Sequence, residues 1–198
     1  MRNAEFGNWE QARRSATTAL GISSDSNVRK FAALASARAG DVARTQALVE
    51  EMEKANPANT LLNYYWLATT RGAIELGQNN PAKAIEVLQP AAAYELGYSI
   101  PFLFGTLYPV YVRGEAYLAL HQGLQAIAEY QKILDHRGIV LNFHLGALAH
   151  LGLARAYAMQ GDNAKARATY NDFLTLWKDA DPDIPILRQA KAEYAKLH

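Results

Sequence analysis

The stretch GEAYLALHQGLQAIAEYQKIL, residues 114–134, admits few folds. In its first half Gly114, Tyr117, Leu118 and Leu120 recur near helical spacing. In its second half Ala126, Ile127, Tyr130, Ile133 and Leu134 do the same, with Gln125, Glu129, Gln131 and Lys132 turned away from that face. Gly123 lies between the halves, where a tight helix–helix turn needs a residue tolerant of positive φ. Gly114 and Ala126, on opposite arms, are small enough to face each other where two helices cross. Tyr117 and Tyr130 then fill the wider space beside that crossing. The pattern predicts an antiparallel helical hairpin.

The rest of the chain reads as imperfect copies of this unit. Residues 3–20 look like a second arm alone, with Gly7 at the turn and Ala12, Ala16 and Ala19 on a small face. Its first arm is missing or barely begun, and an uncovered half-unit implies a fragment of a longer protein. A unit at about 27–57 carries Phe31, Leu34 and Ala35, the turn Ala39-Gly40-Asp41, then Ala47, Leu48, Val49 and Met52. A unit at about 60–93 opens with Leu61, Leu62, Tyr64, Tyr65, Trp66 and Leu67. It turns at Gly77-Gln78-Asn79-Asn80-Pro81 and continues with Ala84, Ile85, Val87 and Leu88. After the hairpin of about 106–135 comes a unit at about 142–179. Leu148, Leu151, Leu153 and Tyr157 precede its turn Gln160-Gly161-Asp162, and Ala166, Tyr170, Phe173 and Leu174 follow. A last helix at 184–197 puts Leu187, Ala190, Tyr194 and Leu197 inward and Arg188, Lys191 and Lys196 outward, the pattern of a solvating cap.

The small position recurs at Ala12, Thr45, Ala84, Ala126 and Ala166, at intervals of 33, 39, 42 and 40. The excess length falls mostly between units, at 91–106 and 135–144. The expected architecture is one all-α solenoid over 1–198.

The motif itself resembles the tetratricopeptide repeat, in which a Gly or Ala is followed by Tyr, Ala, an aromatic and a small or apolar residue. Here those are Gly114, Tyr117, Ala126, Tyr130 and Ile133. The resemblance implies a right-handed superhelix of antiparallel helix pairs with a C-terminal capping helix. Such a repeat is about 34 residues long, and intervals near 40 also occur in HEAT and armadillo arrays, the alternative architecture. In tetratricopeptide domains the first helices line a groove for a peptide or protein. Projected here, that groove would hold Lys30, Arg38, Trp66, Tyr108, Tyr111, Glu115 and Arg155. The carboxylate-clamp form wants Asn where this chain has Leu34, and its mixed charges name no single ligand class.

A narrower likeness lies in YPVYVRGEAYLA (108–119), KILDHRGI (132–139) and DFLTLWKDADPDIPIL (172–187). These resemble the C-terminal repeat regions of large membrane-anchored serine/threonine kinases of bacteria, notably acidobacteria, and of related regulators. That implies a sensory or docking module joined to an effector, lying in the cytoplasm or outside the inner membrane. Kinase chemistry itself is not expected. His136-Arg137 is followed by Gly138, so the catalytic-loop Asp is absent, and Asp172-Phe173 is followed by Leu174.

Other chemistries are excluded on similar grounds. The net charge of +1 argues against a nucleic-acid footprint, and the lack of cysteine removes disulfides and thiolates. The longest uncharged run, 96–112, is short and proline-interrupted, so no membrane insertion is expected. The five histidines show no short metal-ligand spacing, and no nucleophile motif occurs. No cofactor, metal or catalytic residue is expected, and Glu129 reads as a solvated charge. The aromatic run Phe102, Phe104, Tyr108 and Tyr111 admits two readings, a ledge in the groove or packing between units. Tyr65 and Trp66 admit the same two. The leading functional expectation is a non-catalytic interaction scaffold with a peptide or protein partner. The alternatives are self-assembly through the open half-unit and, third, an enzyme acting on a small molecule.

Overall fold

In the computed structural model, which describes residues 1–97 and 107–197, the helix pairs are built around five turns of one design. The backbone is left-handed at Gly7, Gly40, Asn79, His121 and Gly161, with φ of 87°, 78°, 64°, 57° and 75°. Two residues after each begins a helix: α2 (Trp9–Ile22), α4 (Val42–Ala55), α6 (Pro81–Leu88), α8 (Gly123–Asp135) and α11 (Asn163–Leu176). Five residues after each lies the small residue of the sequence pattern: Ala12, Thr45, Ala84, Ala126 or Ala166. All five are almost wholly buried. At every turn an amide reaches back to the carbonyl five residues earlier. Asn8 donates to Asn3, Asp41 to Ser36, Asn80 to Glu75, Gln122 to Tyr117 and Asp162 to Tyr157, at 2.8–3.0 Å. This bond closes the carbonyls that the preceding helix leaves open.

In the 114–134 hairpin the left-handed residue is thus His121, while Gly123, expected to turn the chain, opens α8. A Cβ at Gly123 would meet the side chain of Gln160. His121 is exposed, and a side chain in left-handed backbone is strained. Replacing His121 by Gly is expected to raise the unfolding free energy by about 0.5–1 kcal/mol, read as a higher urea midpoint at unchanged slope.

Among the described residues every regular element is a helix and there is no strand, and the chain forms two compact units, Met1–Tyr94 and Glu95–His198. In the first, the one-turn α1 (Arg2–Glu5) precedes α2, and α3 (Ser26–Arg38) packs between α2 and α5 (Ala68–Gly77). Asp25 caps α3 by accepting from the Asn27 amide at 2.8 Å. Ala33, Val49, Met52, Leu62 and Leu67 form a core, flanked by Leu48 and Trp66. Ala4, Ala12, Ala35 and Ala39 form another, where α1, α2 and α3 meet. At Gly72 on α5 a Cβ would come within 2.8 Å of Leu88 Cγ, so α6 approaches as closely as a glycine allows.

The aromatic run before α5 departs from the expected α-helix. Leu62–Leu67 is a π-helical turn that buries Leu62, Tyr65 and Leu67 and leaves Tyr64 about half exposed. The wider turn faces three large side chains inward where α-helical spacing would spread them. Asn59 starts it by accepting from the Leu62 amide, and Asn63 holds the preceding bend by donating to the carbonyls of Asn56 and Pro57.

The second unit contains α7 (Tyr108–Ala119), α8, the short α9 (Arg137–Val140), α10 (Leu145–Met159), α11 and α12 (Pro185–Tyr194). α10 packs on α7, α8 and α11, and α12 lies on α11. On α12, Leu187 and Ala190 are buried while Arg188 and Lys191 face solvent. The Tyr130 ring takes the space of two missing side chains. A Cβ at Gly114 would lie 2.9 Å from its Cζ, and a Cβ at Gly152 would overlap the same ring. Tyr130 therefore does not sit beside the crossing, as its spacing predicted. It sits on Gly114 of α7 and is covered by Gly152 of α10, a glycine outside the repeat pattern.

Candidate functional site

First helices carry the residues nominated for a groove, and most of them are committed to contacts within their own unit. In the first unit Arg38, at the end of α3, makes a two-pronged ion pair with Glu5 of α1 at 3.0 and 2.9 Å. The Glu5 side chain is completely buried and that of Arg38 nearly so. The planar guanidinium matches the carboxylate, and this pairing makes burial of Glu5 tolerable. Lys30 is half-buried, with its ammonium 5.3 Å above the Trp66 ring. Burial pushes its pKa below the ordinary lysine value, and Asp25 opposes the shift. Trp66 is half-buried and meets Phe31 edge-on at 5.2 Å and Tyr65 at 5.3 Å.

In the second unit Tyr108 and Tyr111 are buried. The Tyr108 hydroxyl lies 2.9 Å from His144 Nε2, and its ring meets Phe143 edge-on at 5.9 Å. Tyr111 meets Tyr130 edge-on at 6.1 Å. These two tyrosines pack, while Phe102 and Phe104 lie outside the described residues. Glu115 is half-buried on α7. Arg155 on α10 pairs with Glu193 of α12 at 2.9 and 3.2 Å, and Glu193 also accepts from the Tyr170 hydroxyl at 3.0 Å. Burial lowers the Arg155 pKa and the Glu193 contact more than reverses it, so the guanidinium is held charged.

A charged cluster escaped the sequence reading. Arg113 on α7 donates to Glu95 at 2.7 and 3.2 Å and to Glu129 at 2.9 and 2.6 Å, and Lys132 donates to Glu95 at 2.5 Å. Glu95 is 1% exposed and Arg113 7%. Burial alone would push the Glu95 carboxyl up, but Arg113 and Lys132 together hold it below its ordinary value. Arg113 is likewise raised above its own, burial being outweighed by the two carboxylates. Glu129, read as a solvated charge, is instead a largely buried partner of Arg113. The only sequence signal was a Glu and a Lys one turn apart on α8. Their partners lie on other segments.

A cleft of about 370 Å³ opens among α8, α9, α10 and α11. Its apolar lining includes Leu134, Leu153 and Tyr157, and its polar lining includes Arg137, His150 and Asp172. His150 Nδ1 is buried without a hydrogen-bond partner, 3.9 Å from an Asp172 carboxylate oxygen. Burial pushes the imidazole pKa below its ordinary value, Asp172 raises it in part, and Arg137 lowers it further. Among the described residues no three His, Asp or Glu side chains are placed to hold a metal ion, and no helix is long and apolar enough to cross a membrane.

No family model, curated protein or solved structure matches the chain. The charged groups described above pair with one another. The nominated groove residues fall into two sets: Lys30, Arg38 and Trp66 in the first unit, and Tyr108, Tyr111, Glu115 and Arg155 in the second.

Proposed function

We propose that this chain is a non-catalytic interaction scaffold, a tetratricopeptide-like array of antiparallel helix pairs within a larger bacterial signalling protein. Its first helices would present a surface to a peptide or protein partner. The observation that supports this reading is the recurrence of one turn, with the same left-handed residue, the same amide-to-carbonyl bond and the same buried small residue, at five places along the chain. Repetition of this kind builds extended binding surfaces from units that cannot bury their apolar faces alone.

In the first unit, Lys30 and Trp66 are the nominated residues left half-exposed. Lys30 has no carboxylate within ion-pair distance among the described residues. A cation held over an indole suits an acidic or carboxylate-bearing stretch of peptide.

Panning the full chain against a random peptide library tests the reading. Enriched peptides are expected to carry acidic residues and to lose at least about tenfold in affinity on Lys30→Glu, a reversal that replaces attraction by like-charge repulsion. Far-UV circular dichroism should stay unchanged in that variant. Enriched peptides whose binding ignores Lys30→Glu, or the absence of any enrichment, would reject this surface.

A further inference from the structure

The cleft of the second unit lies among α8, α9, α10 and α11, and none of the nominated groove residues lines it. Of the other charges lining it, Lys165 is held by Asp162 at 2.8 Å with its ammonium 5.3 Å over the Tyr157 ring, and Asp135 accepts from the neutral Gln131 amide at 2.8 Å. Arg137 and Asp172 are both exposed, neither has an ion-pair partner of fixed charge among the described residues, and these two are the charges that act electrostatically on His150. They line the cleft together with the imidazole, and its apolar lining includes Leu134, half-buried, and Leu153, almost wholly buried. The two opposite charges line the same cleft and do not pair with each other.

The geometry points to a binding site for a small zwitterion, an α-amino acid with an apolar side chain, between Arg137 and Asp172 and over His150. The guanidinium of Arg137 takes the carboxylate in a forked, charge-assisted contact. The ammonium donates to Asp172. His150 supplies the third contact: its ring lines the cleft, with Nδ1 buried and 3.9 Å from Asp172. A proton on Nδ1, directed at Asp172, leaves Nε2 as an acceptor for a second ammonium hydrogen. Burial keeps the ring neutral at neutral pH, so it does not repel the ammonium. The apolar side chain lies on Leu134 and Leu153. A volume of about 370 Å³ is at the small end of ligand clefts, suited to one amino acid and too small for a folded segment.

L-leucine is the probe, titrated into the full chain by calorimetry and by NMR of the His150 imidazole. Saturable binding that moves the His150 resonances is expected. N-acetyl-L-leucine, which lacks the ammonium, and L-leucinamide, which lacks the carboxylate, should each bind at least about tenfold more weakly, the loss expected for one charge-assisted contact. Arg137→Gln and Asp172→Asn should weaken L-leucine by a similar factor. Both side chains are exposed, and circular dichroism would establish that the variants remain folded. No saturable binding of L-leucine, equal binding of either blocked analogue, or unchanged affinity in either variant would overturn the site. Binding here does not depend on the peptide surface, because Lys30→Glu lies in the other unit and should leave L-leucine affinity unchanged.

Discussion

Arg113→Met is expected to lower the unfolding free energy by about 3–5 kcal/mol, measured by urea denaturation of the purified chain. Methionine keeps much of the length and apolar bulk of arginine, so the loss is not a cavity effect. It comes from what remains behind. Glu95 is 1% exposed, and without Arg113 it keeps Lys132 as its sole cationic partner among the described residues. Glu129 loses both of its bonds from Arg113. Two carboxylates are then held largely out of water with four of their five bonds gone. Glu129→Gln should cost less, about 1–3 kcal/mol, because an amide oxygen still accepts from the guanidinium. A pH series separates the two effects. The folded-state pKa of Glu95 is below its unfolded value, so its contribution is present above the unfolded pKa. It is lost as pH falls through the folded one. The parent chain should therefore lose stability on the acid side of the ordinary carboxylate range, and Arg113→Met should flatten that limb. A variant that matches the parent at every pH would show that the cluster contributes nothing.

Gly152→Ala is the second large effect, an expected loss of about 1–3 kcal/mol from a single added methyl. An alanine Cβ there overlaps the Tyr130 ring, which is 1% exposed and already sits against Gly114. The ring has nowhere to retreat, so α10 must move away from α8. A double-mutant cycle isolates the cause. Tyr130→Leu alone should destabilise by leaving space between the two glycines, and Gly152→Ala added to it should cost much less than in the parent. Additive losses would mean that the methyl collides with something other than the ring.

The contrast between Gly152 and the turns shows which features were legible in sequence. The turn positions and small residues are set by chemistry within a few residues: a left-handed position, a reach-back amide and a crossing. Their intervals of 33, 39, 42 and 40 could be read before any coordinates and recur in the left-handed residues themselves. The assignment of the 114–134 turn to Gly123 failed because glycine is the usual left-handed residue, whereas the register required His121. Gly152 carried no signal because its reason lies in Tyr130, on a different helix. The same holds for Glu95 and Arg113, eighteen residues apart across a segment with no periodic pattern. Glu129 was misread for a related cause. A charged residue on an amphipathic helix is assigned to water unless its partner is known. The π-helical turn at Leu62–Leu67 hid behind an apolar run that fits any helix. In sequence His150 is only one of five histidines without metal-ligand spacing, and Asp172 only the start of an Asp-Phe pair that lacks the following Gly. Nothing in their spacing placed them across a shared cleft.

The constant five-residue step from left-handed residue to buried small residue also dictates where this chain tolerates a change in length. One residue inserted within that step rotates the following helix by about 100°. That carries Ala126 or its counterpart out of the crossing and brings a bulky neighbour into it. An insertion after a hairpin has closed leaves both arms in register. The observed intervals fit this division, since the step stays at five while the repeat length ranges from 33 to 42. Lengthening by gene duplication or by grafted loops is therefore channelled into the connections between hairpins, and the turns stay closed to it.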